Sequence, residues 1–283
     1  MKKILILLLS VLMIFTFAAC GSEPEEPATT EVEMLETFEE AHCLTAEMTN
    51  RNDDSDDIYA TFVIKNEGKY TINDCSLDFS CYDADGNELN TGYDYLNYAL
   101  EPGKTAVIDL NIYFDSGDPA AVASVELVAY EYYINNVAYE VDLKAETMDP
   151  WDWGNENAVD FDAANILSFE IAEEGAGSWD FYDVVLQITN NSDAKVNEAY
   201  FDIAYLDENM NFLDESGGYT ESVIEPGKFV TSDTSSWNED VTELIKSVAV
   251  YEYTYDLVEP DANGYNHYEV DLQSKTAYGY LYE

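Results

Sequence analysis

The sequence predicts an all-β protein in which one antiparallel β-sandwich unit is used twice in tandem. Three observations predict it. The first is period-2 alternation: Leu77, Phe79 and Cys81 are interleaved with Asp78, Ser80 and Tyr82, the pattern of a half-buried strand. The second is turn chemistry. Asp83-Ala84-Asp85-Gly86-Asn87 and Glu101-Pro102-Gly103-Lys104 close the runs with residues that accept tight turns and positive φ. The third is recurrence. Tyr205-Leu206-Asp207-Glu208-Asn209 stands where Cys81-Tyr82-Asp83-Ala84-Asp85 stood, and Glu225-Pro226-Gly227-Lys228 repeats the second turn letter for letter.

Residues 1–20 read as an export signal. Met1-Lys2-Lys3 is a short basic start, and residues 4–17 form an apolar run of about 14 residues, short of the ~20 that a spanning helix needs. Phe17-Ala18-Ala19-Cys20-Gly21 resembles a bacterial lipobox, with Phe17 where Leu is usual. The resemblance implies lipidation at Cys20, with a plain secretory signal as the other reading. Residues 21–40 hold eight Glu with Pro24 and Pro27, so like charges repel and little can be buried; an acidic disordered tether is expected there.

Residues 41–146 form the first expected domain. Strands are expected over 43–49, 57–66, 75–83, 87–97, 105–114, 125–134 and 137–144. In the second, Ile58, Ala60, Phe62 and Ile64 share a face; in the fifth, Ala106, Ile108, Leu110, Ile112 and Phe114 do. Asp118-Pro119 reads as an N-cap and first residue of one helical turn, and Asn135-Asn136 as a two-residue hairpin. Residues 147–164 are expected as a linker. Residues 165–283 repeat the first domain: Tyr182, Val184, Leu186 and Ile188 answer Ile58 to Ile64, Val250-Tyr251-Glu252-Tyr253 answers Ala129-Tyr130-Glu131-Tyr132, and Tyr268–Leu272 repeats Tyr139–Leu143. The segment Tyr278-Gly279-Tyr280-Leu281-Tyr282 alternates and reads as an edge strand or a loose tail. Seven short strands per unit, with turns every 8–12 residues, suggest an immunoglobulin-like sandwich.

Phe79-Ser80-Cys81-Tyr82-Asp83, with the Asp-Gly-Asn turn and the Glu-Pro-Gly-Lys turn, resembles the FxLYD-type domain of bacterial surface lipoproteins. The likeness spans about 40 residues per unit, and the second copy, Ile203-Ala204-Tyr205-Leu206-Asp207, keeps the Asp but shifts the Tyr. It implies an extracellular, non-catalytic module.

Charge bounds the function. With 59 acids against 11 Lys and Arg and a net charge of −48, the chain repels nucleic acid and anionic lipid headgroups. Its 23 Tyr and 12 Phe exclude general disorder. Of the cysteines, Cys43, Cys75 and Cys81 remain after Cys20. Cys75 and Cys81 lie too far apart along one strand to pair, and Cys43 pairs with either or all three are buried thiols. Asp83–Asn87 departs from an EF-hand, with Gly at the fourth position instead of the sixth. His42 and His267 lack ligand or triad spacing. No metal, cofactor or catalytic residue is expected. Trp151 and Trp153 are the candidate contact residues, stacking on a sugar or packing between the domains.

The expectation is a lipid-anchored lipoprotein on the extracellular face of a bacterial membrane. Its partner would be an extracellular protein or glycan and not nucleic acid, and its role binding or structural. A Ca²⁺-responsive module is the alternative, and a carboxylate-dependent hydrolase, which needs two carboxyls of divergent pKa in one cleft, stands behind it.

Overall fold

The computed structural model describes residues 34–115, 118–134, 136–152, 154, 156–177, 181–238 and 241–282. Alternating apolar residues build the strands. In the first half these are β1 (Leu44–Asp53), β2 (Asp57–Asn66), β3 (Asn73–Tyr82), β4 (Glu88–Leu96), β5 (Thr105–Tyr113), β6 (Ser124–Ile134), β7 (Val137–Asp142) and β8 (Thr147–Asp152). The second half repeats the order with β9 (Leu167–Ala176), β10 (Tyr182–Asn190), β11 (Val196–Leu206), β12 (Phe212–Tyr219), β13 (Phe229–Ser236), β14 (Ser247–Leu257), β15 (His267–Asp271) and β16 (Thr276–Tyr280).

Three sheets result: a five-stranded β4-β3-β6-β7-β8, a three-stranded β13-β10-β9, and an eight-stranded β1-β2-β5-β12-β11-β14-β15-β16. The eight-stranded sheet is the first half's β1-β2-β5 joined at one edge to the second half's β12-β11-β14-β15-β16. Within each half all pairings are antiparallel; the joint is a single parallel pair, Ala106 with Phe212. In each half the three strands face the five. Phe62 on β2 meets Phe79 on β3 at 4.6 Å between ring centroids, and Phe169 on β9 meets Phe201 on β11 at 5.8 Å. The protein is thus nearly all β, a sandwich architecture of antiparallel sheets, and residues Leu35–Glu283 pack as one body.

The repeat extends to buried polar detail. Asn66 and Asn190 are both fully buried. Asn66 Nδ2 donates to the carbonyls of Tyr70 and Leu100, and Asn190 Nδ2 to those of Ala194 and Ile224. Each Asn Oδ1 accepts a backbone N–H two residues on, from Gly68 and Ser192. These bonds satisfy loop groups that would otherwise be buried unpaired. A tyrosine latch recurs as well. Two short helices, α1 (Phe38–Ala41) and α2 (Phe161–Ala164), are capped by Thr37 and Asp160. The Tyr130 and Tyr132 hydroxyls donate to the Ala41 carbonyl, and the Tyr255 hydroxyl to that of Ala164.

Three expectations are corrected. Residues 147–152, read as linker, form β8 and pair along β7 from Asp142–Thr147 to Val137–Asp152. The tether read over 21–40 gives way to packed chain by Leu35, which is buried and donates its N–H to the Tyr139 hydroxyl. The tyrosine repeat is shifted by two residues. Tyr253 pairs with Phe201 as Tyr130 pairs with Leu77, so Tyr253 and not Tyr251 is the counterpart of Tyr130. The alternation of Tyr with polar residues let either register fit the sequence. Cys43, Cys75 and Cys81 are all buried and unpaired with one another; burial pushes the Cys43 and Cys81 thiols up to about 11. The last alternating segment is the edge strand β16.

Gly103 and Gly227 follow Pro in the two Glu-Pro-Gly-Lys turns and have φ of +79° and +66°. The Lys104 and Lys228 N–H groups close the turns on the Glu101 and Glu225 carbonyls at 3.0 Å. A side chain with a Cβ is strained there. Gly103→Val or Gly227→Val should cost about 1–2 kcal/mol, read as a lower denaturant midpoint; an unchanged midpoint would show that the turn relaxes without cost.

Candidate binding cleft

Strand register decides what the outer face of β11, β14, β15 and β16 presents. Asp202 pairs with Glu252, Glu252 with Asp271 and Asp271 with Thr276, one straight row across four strands. The next row runs Thr254, Glu269, Tyr278. The one after runs Asp256, His267, Tyr280, where His267 Nδ1 lies within hydrogen-bond distance of Asp256 Oδ1, at 2.6 Å. The first two rows contain no base.

Against this face stands the first half. Asn73 and Asp74 at the start of β3 and Tyr133 and Asn136 at the β6–β7 hairpin line the cleft from that half, and Gly154, Glu156 and Asn157 line it from a segment that runs beside β16, where the Gly279 N–H donates to the Asn157 carbonyl. The cleft is open to solvent and has a volume of about 870 Å³. Its charged lining is Asp74, Glu156, Asp202, Glu252, Glu269 and Asp271, with the rings of Tyr133, Tyr278 and Tyr280 among them. An acidic lining alone is unremarkable in so acidic a chain. Three carboxylates directly opposite one another on adjacent strands are different, because like charges in such pairs repel by about 0.2–1 kcal/mol each.

The protonation of the row shows the strain. Burial, then the charges of Asp202, Asp74 and Asp271, push Glu252 up to about 8. Asp202 is raised by burial and shares a hydrogen bond with Glu252. Asp74 is raised to about 6 by loss of solvation and by Asp271; its surface is open to solvent, so its charge is better screened than that of half-buried Glu252. It also holds φ +46°, an unusual left-handed backbone for a side chain other than Gly. The first half has no such row. There the positions read Asp78, Ala129, Asp142, since Asp78 pairs with Ala129 and Ala129 with Asp142. Glu252 is therefore the added carboxylate.

The sign of its effect follows from linkage. A carboxyl whose folded pKa lies above its unfolded value of 4.5 costs nothing at low pH. It lowers stability progressively as pH rises from about 4.5 to 8, where the unfolded chain sheds a proton that the fold retains. Glu252→Ala, the first half's own residue, should raise stability at pH 8 by about 0.4–2 kcal/mol from the two relieved pairs. The gain should shrink toward pH 4.5. Melting curves across that range check it, and a variant less stable than wild type at pH 8 would contradict the repulsion.

Of the residues singled out from sequence, Trp151 lies on β8 with its ring 6.4 Å from that of Tyr133, edge to face, so it packs within its own half beside the cleft wall. Trp153 and Cys20 lie outside the described residues. His42 stacks on Phe38, and His267 sits on β15; the fold does not bring the two histidines together. The Asp83 carboxylate accepts from the Asp85 and Asn87 N–H groups and from Asn87 Nδ2, and Asp207 does the same with Asn209 and Asn211. Both loops use their Asp to hold the turn. Among the described residues no three His, Cys, Asp or Glu converge as a metal-ligand set. Asp202, Glu252 and Asp271 escaped the sequence reading because the misplaced tyrosine register hid that Glu252 replaces Ala129.

No family model matches this chain, and no curated protein does. A crystal structure of a red sea bream transglutaminase matches with 10% identity, covering 76% of this chain and 28% of that one, at a TM-score of 0.21. The chain thus spans well under a third of that structure's length, and a likeness this slight carries no argument.

Proposed function

We propose that the chain is a membrane-anchored extracellular lipoprotein of bacteria, built of two tandem immunoglobulin-like sandwiches and acting in binding without catalysis. The observation that carries the binding role is the acid- and tyrosine-lined cleft between the two halves. Clefts at such junctions are common ligand sites, and carboxylates with aromatic rings favour cationic groups through charge and cation–π attraction. A basic segment of an extracellular protein suits it better than a neutral glycan. Asp202 and Glu252 are both raised, each first by burial, whereas acid–base hydrolysis needs one carboxyl held low beside one held high. The anchor rests on the basic, apolar, small-residue and Cys order of residues 1–20 and on two-chain lipid arithmetic.

Two experiments test this reading. Labelling with an acyl-chain probe in bacteria should mark wild type and spare Cys20→Ala; equal labelling of both removes the anchor. Calorimetric titration with a lysine-rich peptide should show binding that Glu252→Ala weakens several-fold. Binding indifferent to that substitution, or binding of a neutral oligosaccharide instead, removes the cleft.

The carboxylate row favours one second reading, a response to Ca²⁺. With no convergent ligand set among the described residues, it would be graded and weak. A saturable isotherm near one ion per chain would make it the better reading.

A further inference from the structure

The joint between the halves is made by two local devices, and both recur beside the edge strands β4 and β13. On the first half the device is the Glu101–Lys104 turn and the start of β5. Lys104 Nζ donates to the Asn209 carbonyl, the Thr105 N–H donates to Asn211 Oδ1 at 3.2 Å, and Ala106 pairs with Phe212. On the second half the receiving device is the Asp207–Asn211 loop and the start of β12.

The donor device recurs as Glu225-Pro226-Gly227-Lys228 leading into β13, with the same turn hydrogen bond and the same tie to a buried Asn. The Gly103 N–H donates to the Asn66 carbonyl, and the Gly227 N–H to that of Asn190. The receiving device recurs as Asp83–Asn87 leading into β4. In both loops the Asn Nδ2 is bound to the Asp carboxylate at 2.9 Å, leaving Oδ1 presented alike. Exposure follows occupancy position by position. Leu213 at the joint is 6% exposed, and its counterpart Leu89 is 41% exposed. Ala99 is 4% exposed, and its counterpart Val223 is 44% exposed. Phe229, counterpart of Thr105, is 58% exposed.

We infer that the β13 edge of one chain docks on the β4 edge of a second copy, reproducing between molecules the joint found within one. Such a contact joins two different surfaces and leaves one of each free, so it extends head to tail and does not close by twofold symmetry. It is weaker than the internal joint. Inside the chain Tyr98 stacks on Phe212 at 5.2 Å and meets Tyr251 edge-on at 5.6 Å. At the β4 and β13 edges the corresponding residues are Ser222, Glu88 and Val128. Glu88 brings a charge, already countered by Lys144 at 2.8 Å. A net charge of −48 opposes association at low salt, and screening relieves it. The inference stands apart from the anchor and from the cleft.

Cross-linking tests it on the full chain, with Cys20→Ser removing the one cysteine outside the described residues. One sample carries Lys228→Cys, another Asp85→Cys, and a short bis-maleimide is added to each and to their mixture. A Lys104→Cys/Asn209→Cys chain is the control for reach, since it should cross-link internally. Covalent dimer is expected in the mixture only, rising with monovalent salt and falling several-fold when Phe229→Glu is added to the Lys228→Cys chain. Dimer at equal yield in either single sample would overturn the head-to-tail contact. So would no dimer in the mixture while the internal control links.

Discussion

Phe201→Ala is expected to lower stability by about 3–5 kcal/mol, the range for deleting a buried aromatic ring. Phe201 lies on β11 with 1% of its surface exposed. Its ring meets Phe169 at 5.8 Å and lies over Gly218, its cross-strand partner on β12. A Cβ on Gly218 would fall 2.3 Å from the ring's Cζ, so the glycine is there to admit the phenylalanine. Neighbouring side chains are held from several strands and collapse poorly into the vacated space. Denaturant melts of the variant measure the loss. A cost under about 1 kcal/mol would mean that the core repacks freely and that the ring is not closely fitted.

The second large effect is expected at Asn190. Asn190→Ala removes the donor to the Ala194 and Ile224 carbonyls and the acceptor for the Ser192 N–H. The site is fully buried, so water does not replace these bonds, and the expected loss is about 2–4 kcal/mol. Asn66→Ala should do the same through Tyr70, Leu100 and Gly68. Asn190→Asp, which keeps the acceptor and drops the donor, should cost nearly as much, because it sets a carboxylate against two carbonyl oxygens. If either Ala variant melts like wild type, the loop is not held by its asparagine. The joint adds a further readout. Ala106, Thr105 and Tyr98 tie the halves together, so an Asn66 variant should also lower the temperature at which the second half melts.

Much of this fold is legible in the chain because its signals are local. Strict alternation along Ile58 to Ile64 and Ala106 to Phe114 marks β2 and β5 with their buried faces, and the pleat allows no other side to face the core. Glu-Pro-Gly-Lys specifies a turn that needs positive φ at its Gly, and the Asp118-Pro119 pair sets a cap that the structure shows, with Asp118 accepting from the Ala120 N–H. Repetition of these signals tells that the second half resembles the first. Trp151, by contrast, lies on a strand that its sequence did not announce. β8 is held by pairing with β7, and Asp149-Pro150 within it argues locally against a strand; only an edge position tolerates that proline.

What the sequence by itself determined is the strands other than β8 and β16, their inward faces and the turns between them, because these depend on neighbours a few residues apart. Only the tertiary structure decided the register of β14, the joint of β5 with β12 and the cleft. The spacing from Leu77 to Tyr130 is one residue longer than that from Phe201 to Tyr253, so no constant offset aligns the halves, and the alternating tyrosines conceal it. The joint is one parallel residue pair with the contacts of two turns around it, and the same turn motifs occur elsewhere in the chain without being joined, so the motifs alone do not announce it. The carboxylate row exists because Asp202, Glu252 and Asp271, far apart in the chain, come to lie side by side on adjacent strands. Their mutual repulsion is a property of that adjacency, and no stretch of the chain carries it alone.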